Sequence, residues 1–135
     1  RMEQRPANAE EAAKLSIPPD TEVISLQRSI LGDDIVMAYS YDVLPSSLIP
    51  ASHVGQLGTG SMFAVLDQVD LMPVRALAEL HAVSSKDVGW GAKRPRNGLF
   101  LLLDQVHQDR RGLAVAYSKT YFVEGRFQFT ILRTR

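Results

Sequence analysis

Apolar and polar residues alternate along most of this chain with a period near two, which is the spacing of half-buried strands, and short stretches between them read as helices. The first is the segment EEAAKL at residues 10 to 15, closed by the Pro18-Pro19 pair that cannot continue a helix. Pro18 to Thr21 reads as a turn. Glu22 to Leu31 and Ile35 to Leu44 are rich in β-branched and apolar residues and flank Gly32-Asp33-Asp34, so they predict a β-hairpin. Pro45 to Pro50 reads as a loop or a single helical turn. The second helical stretch is SMFAVLDQV, which follows Gly58 to Gly60 and has Ser61 as its natural N-cap.

Pro73 to Val83 reads as a further strand, and Ser84-Ser85 offers a cap for a short helix through about Trp90. After the basic loop AKRPRNG, Leu99 to Val106 and Leu113 to Val123 predict a second hairpin across the turn Gln108 to Gly112. Arg126 to Leu132 places Phe127, Phe129 and Ile131 on one face, as a last half-buried strand would. The order short helix, turn, strand, turn, strand thus occurs twice, from Glu10 and from Ser85. Both copies carry Ala-Tyr-Ser, at Ala38-Tyr39-Ser40 and Ala116-Tyr117-Ser118. The expectation is an α+β fold: an antiparallel sheet with short flanking helices, built from two pseudo-repeated hairpins that face each other across an approximate twofold with a cleft between them.

Composition narrows the functional classes. At 135 residues and 45% hydrophobic content the chain builds one core. Lys+Arg and Asp+Glu both number 15, so no net charge draws it to nucleic acid or anionic lipid. The absence of Cys excludes disulfides, thiolate metal sites and a thiol nucleophile. The longest apolar run, Leu99 to Leu103, is far short of the roughly 18 residues of a membrane span, and the charged N-terminus is unlike a signal peptide. A soluble cytoplasmic protein with no membrane partner is expected. Residues 1–9 are polar and read as a linker remnant, leaving 10–135 as the domain.

The stretch LSIPPDTEVISLQRSILGDDIVMAYSYDVLP resembles the opening of UTRA domains, with a small helix ending in Leu-x-Ile-Pro, two strands and then Leu-Pro. GSMFAVL at Gly60 to Leu66 and VAYSKTYFVEGRFQF at Val115 to Phe129 are similar to the family's Gly-Ser helix start and closing strands. The resemblance covers nearly the whole chain after Glu10. It implies a chorismate lyase-like fold and the effector-binding half of a GntR-family (HutC-type) bacterial transcription regulator. It also implies a homodimer, and DNA contact only through an N-terminal winged helix-turn-helix that this chain lacks. No cofactor or metal is implied.

Arg28 is the leading site candidate: a guanidinium in an otherwise apolar strand needs a partner, and its planar fork suits phosphate or carboxylate. In the resembling family this position binds the effector's anionic group; the alternatives are a solvated Arg or an ion pair with an acid such as Asp42. Ser61 opens a helix, so its hydroxyl and the free N–H groups offer either a cradle for an anion or a plain N-cap. Ser40 and Ser118 hold equivalent places in the two hairpins, on the side of Arg28, and are candidate donors. Arg126 and Glu124 flank the last turn, where they are either simply solvated or, for Arg126, a candidate for the pocket rim. Tyr39, Tyr41 and Tyr117 alternate with the serines and belong on the opposite face, in core-packing or dimer-interface roles.

Relatives that bind amino-sugar phosphates carry Glu at the positions of Ser40 and Ala116 and Tyr at Phe122. This chain keeps none of the three, which points to a smaller or more apolar anionic metabolite. For an enzyme, His53, His81 and His107 lack ligand spacing. Glu79 and His81 share a strand face either as an acid–base pair or as a solvated surface. The competing reading is a lyase-like enzyme, since fold does not fix function.

Overall fold

The computed structural model describes residues 1–91, 94–96 and 98–135. Six strands form one antiparallel sheet in the order β1-β2-β3-β6-β5-β4. The expected first hairpin is present: β2 (Glu22–Gly32) and β3 (Ile35–Pro45) join through Asp33 and Asp34, whose φ values of 52° and 64° are those of a two-residue turn matched to the sheet's twist. The short polar side chain of Asp tolerates that left-handed backbone. The second hairpin, β5 (Leu99–Gln108) and β6 (Ala114–Val123), turns at Gly112 with φ 83°. The buried Asp109 carboxylate holds this turn by accepting the backbone N–H groups of Arg111 (2.9 Å) and Leu113 (3.0 Å).

The two hairpins do not face each other across a cleft. Strand β3 pairs directly with β6, Tyr41 opposite Lys119 and Asp42 opposite Ser118, so the repeat is a side-by-side one within a continuous sheet. Each half is a three-stranded set. Strand β1 (Met2–Pro6) precedes the first hairpin and β4 (Arg75–Ser84) the second. Residues 1–9 are therefore not a linker: β1 pairs with β2 from Met2–Leu26 to Pro6–Glu22. Arg5 reaches from β1 to grip Glu11 with both guanidinium nitrogens at 2.8 Å.

Helix α1 (Ala9–Leu15) starts on a reciprocal cap, in which Asn8 Oδ1 accepts from Glu11 N at 2.8 Å and Glu11 Oε1 accepts from Asn8 N at 2.9 Å. Ser16 closes it in the left-handed conformation. After a single 3-10 turn at Ser46–Leu48 come α2 (Ala51–Thr59) and α3 (Met62–Gln68). Helix α2 is not signalled by the sequence, because it contains Gly55 and Gly58 and its N-cap residue is Pro50 with no side-chain cap. It forms because tertiary packing overrides propensity: Leu57, Met62, Val65 and Leu66 of the two helices bury against Ile24, Leu26, Leu44 and Ala116 on one face of the sheet.

Two expected elements do not form. Residues 85–90 make no helix, since Gly89 takes φ 86° and Ser85 Oγ accepts from Asp87 N at 3.0 Å in a local turn. This segment is instead a strap over the second sheet face, where Val88 is buried and the Trp90 ring meets Tyr39 at 5.2 Å and Tyr41 at 5.9 Å. Residues 126–132 form no strand either. Gly125, at φ 79°, turns the chain back, and Phe127 and Phe129 stack on Phe122 with centroids at 4.4 and 5.0 Å. Among the described residues no helix is long and apolar enough to cross a membrane.

Candidate functional site

The sheet face that carries α2 and α3 is only partly covered, and the uncovered part is polar. Period two and register together decide its lining. Arg28 of β2 lies opposite Ser40 of β3, which lies opposite Thr120 of β6. In the next row Asp42 lies opposite Ser118, which lies opposite Gln105 of β5. The start of α3 closes over these rows with Ser61, Met62 and Phe63, and His107 fills the β5 side, leaving an open hollow of ≈ 340 Å³.

Inside it, four side chains are chained by hydrogen bonds. The Asp42 carboxylate accepts the Ser118 hydroxyl on Oδ1 at 2.5 Å and the Ser40 hydroxyl on Oδ2 at 2.8 Å. His107 Nε2 lies 3.1 Å from Ser118 Oγ. Since Ser118 spends its one proton on Asp42, Nε2 must carry the hydrogen and donate it to the serine oxygen. Burial holds the His107 pKa below the ordinary imidazole value against the pull of the Asp42 charge, so the ring stays neutral near pH 7. The Phe63 ring packs edge-on against it at 5.4 Å.

Arg28 has structural as well as surface character. Its Nη1 donates to Gly60 O at 2.6 Å and its Nη2 to Leu57 O, so the guanidinium caps the carbonyl end of α2, where a cation is favoured. Those bonds use two of its five N–H donors, and the residue also lines the hollow. Ser61 acts as the N-cap of α3, its Oγ accepting from Ala64 N at a long 3.4 Å. Its own proton remains free to donate.

Four of the five candidates, Arg28, Ser40, Ser61 and Ser118, therefore meet in one hollow. Arg126 does not. Its Nη1 donates to Val36 O at 3.0 Å, tying the turn after β6 to the far end of β3, away from the rim. The alternative pairing of Arg28 with Asp42 is absent from the observed bonds, because the carboxylate is engaged by the serines. The sequence reading missed Asp42 and His107 as members of the site. Period two from Ser40 puts Asp42 on the same face, whereas His107 enters only through the β5–β6 register.

The tyrosines lie on the opposite face, as expected. Tyr39 is fully buried, Tyr41 Oη accepts from Gly89 N at 3.1 Å, and Tyr117 Oη lies 2.6 Å from Glu10 and 2.9 Å from Asp104. Burial, then the two carboxylates, push the Tyr117 pKa well above the usual phenol value. Glu79 and His81 form an exposed pair at 3.0 Å on β4, a solvated strand face remote from the hollow. Of the basic loop, Arg94 and Arg96 are exposed, and Lys93 lies outside the described residues. No cluster of three or more metal-ligating side chains occurs among the described residues.

The UTRA domain profile matches residues 1–128. The chain belongs to the UTRA family. No curated protein matches this UTRA chain by sequence. Solved structures show the same fold at low identity. The C-terminal domain of Yurk from Bacillus subtilis superposes with a TM-score of 0.88 at 22% identity, covering 98% of this chain and 92% of that one. A GntR-family transcriptional regulator from Enterococcus faecalis gives 0.81 at 20% identity, covering 98% and 96%. The effector domain of PhnF from Mycobacterium smegmatis gives 0.79 at 17% identity, covering 100% and 84%.

Proposed function

We propose that this UTRA chain is the effector-sensing domain of a GntR-type transcription regulator, a binding module and not an enzyme. A small anionic metabolite enters the hollow, meets the Arg28 guanidinium and the Ser61 hydroxyl, and is oriented by the Ser40–Asp42–Ser118 group. The observation that carries this reading is the convergence of Arg28, Ser40, Ser61 and Ser118 from three strands and one helix start on a single concavity. Asp42 sharpens the ligand class. The lining presents one cation and one carboxylate, so a fitting molecule offers its negative group to Arg28 and hydrogen-bond donors to Asp42.

The proposed route from site to response runs through Arg28. Arg28 holds the Leu57 and Gly60 carbonyls that end α2, so a ligand competing for its donors reweights the position of the α2–α3 corner. A ligand that binds one such state better than the other shifts the equilibrium by its differential affinity, typically about 1–3 kcal/mol. In the proposed regulator the domain works in the cytoplasm as a homodimer, and DNA is reached only through an attached N-terminal winged helix-turn-helix. A thermal-shift panel of phosphorylated sugars, phosphonates and small carboxylates tests this. A true effector stabilises the wild-type protein and loses its effect in Ser118→Ala and Arg28→Ala, each confirmed as folded by circular dichroism. A panel hit whose effect survives both substitutions contradicts the site.

A further inference from the structure

The second sheet face carries a groove of its own. Period two and register put Ser25 and Gln27 of β2, Tyr41 of β3, and Lys119 and Tyr121 of β6 on that face. The start of α1 with Arg5 of β1 walls the groove on one side and the strap walls it on the other at Ser85, Asp87 and Val88, leaving a space of ≈ 270 Å³. It shares no lining residue with the hollow that holds Arg28. Several polar groups of its floor have hydrogen bonds to spare. Ser25 is only 6% exposed and lies opposite Val43, where a valine would extend the buried cluster of Val23, Val43 and Tyr117, yet its hydroxyl bonds to no described residue. The Gln27 amide and the Tyr121 hydroxyl likewise have no partner among the described residues. Tyr41 Oη accepts from Gly89 N at 3.1 Å and keeps its own proton to donate. Burial pushes the Tyr121 pKa above the usual phenol value, so that proton too stays on its oxygen. Polar groups removed from bulk water in this way destabilise the fold unless something supplies their bonds.

The charges of the groove, by contrast, are already matched. Arg5 holds Glu11 at 2.8 Å and Lys119 holds Glu10 at 2.7 Å, so each cation of the lining is neutralised by an acid of the same lining. The charge left over is the Asp87 carboxylate, which accepts hydrogen bonds and repels anions. The first face thus offers Arg28 to a negative group, whereas this one offers neutral donors and acceptors beside tyrosine rings. That combination suits a molecule whose hydroxyls both donate and accept and whose C–H faces rest against aromatic rings. We propose that the groove between α1 and the strap is a second ligand site, for an uncharged, hydroxyl-rich small molecule such as an unphosphorylated sugar. Ser25, Gln27, Tyr41 and Tyr121 hold its hydroxyls from the floor, and Asp87 accepts one from the strap. This site is independent of whether the hollow binds an anion.

Saturation-transfer NMR on the full chain with glucose, galactose, ribose and myo-inositol tests the assignment, with affinities read from the Tyr121 ring signals. At least one of these compounds is expected to bind. Ser25→Val and Tyr121→Phe each remove one hydroxyl and are each expected to weaken that binding about five- to tenfold. Tyr121→Phe keeps the ring contacts with Tyr41 at 5.6 Å and Phe100 at 5.8 Å, and circular dichroism verifies that both variants are folded. Ser118→Ala, which alters the hollow on the other face, is expected to leave the affinity unchanged. A phosphate added to the bound compound is expected to weaken binding at this site, since its cations are already paired. Failure of every compound to bind overturns the proposal. So does binding that survives both Ser25→Val and Tyr121→Phe, binding that is lost in Ser118→Ala, or tighter binding of the phosphorylated form at the Tyr121 signals.

Discussion

The hydroxyl of Ser118 donates to the carboxylate of Asp42 across the β3–β6 pair at 2.5 Å, at the centre of the sheet and at the floor of the hollow. The same carboxylate takes the Ser40 hydroxyl, so one acid orients two of the side chains that face a ligand. A hydrogen bond to a charged group contributes about 1.5–3 kcal/mol when protected from water, and partial exposure of this site reduces it. Asp42→Ala is expected to destabilise the fold by roughly 1–2 kcal/mol. A double-mutant cycle with Ser118→Ala, read by urea denaturation, should give a coupling energy near 1 kcal/mol. Additive effects would show that the bond is not formed in solution.

His107 supplies a pH signature. Its folded-state pKa lies below the unfolded value of 6.5 because burial disfavours the imidazolium. A group shifted in that direction leaves stability fully present above pH 6.5, with loss beginning as pH falls below it and continuing through the lower folded pKa. The nitrogen NMR signal of the His107 ring should therefore stay that of the Nε2-H neutral tautomer at pH values where an exposed histidine is half protonated. His107→Gln should flatten the stability profile below pH 6.5.

Asp109 adds a second, more acidic contribution. Burial opposes its ionisation, but the Leu113 and Arg111 backbone donors and the Arg111 guanidinium outweigh that and hold its carboxyl below the ordinary value of 3.8. Stability from this group is present above the unfolded pKa and disappears as pH falls through the folded one. Asp109→Asn should weaken the β5–β6 turn at neutral pH and remove this part of the acid sensitivity, as read by thermal melts from pH 2 to 7.

Gly89 has no room for a side chain. A Cβ built on it would lie 2.6 Å from Tyr39 Cζ, and its φ of 86° is disfavoured for any other residue. Gly89→Ala is expected to cost roughly 2–4 kcal/mol from overpacking and backbone strain together. Loss of the Trp90 and Tyr39 contact should appear as a red-shifted Trp90 emission.

The hairpins, α1, the Ser61 cap and the side of the sheet taken by Arg28, Ser40 and Ser118 were all legible in the chain, because each rests on local periodicity or turn chemistry. What escaped depends on contacts distant in sequence. Helix α2 is held by Leu57 in the core and by Arg28 at its end, although its glycines argue against a helix. The period-two tail from Phe127 to Ile131 looks like a strand, yet Phe122 offers its rings a stacking partner while Gly125 turns them away from the sheet edge. The first residues look like linker because β1 is a short edge strand with Glu3, Gln4 and Arg5 at its middle, and is recognisable only by its pairing with β2. His107 belongs to the site through a register that no local pattern encodes.

The central claim is that an anionic small molecule occupies the hollow between the β3–β6 floor and the start of α3. The most direct measurement follows the ring signals of His107 in heteronuclear NMR while a stabilising compound from the thermal-shift panel is titrated. At about 100 times its Kd such a ligand adds roughly 2.7 kcal/mol of stability. The prediction is that the His107 signals shift and saturate in step with that stabilisation, while those of the half-buried His53 and the exposed His81, neither of which lines the hollow, stay fixed. Stabilisation that saturates with the His107 signals unmoved would contradict it.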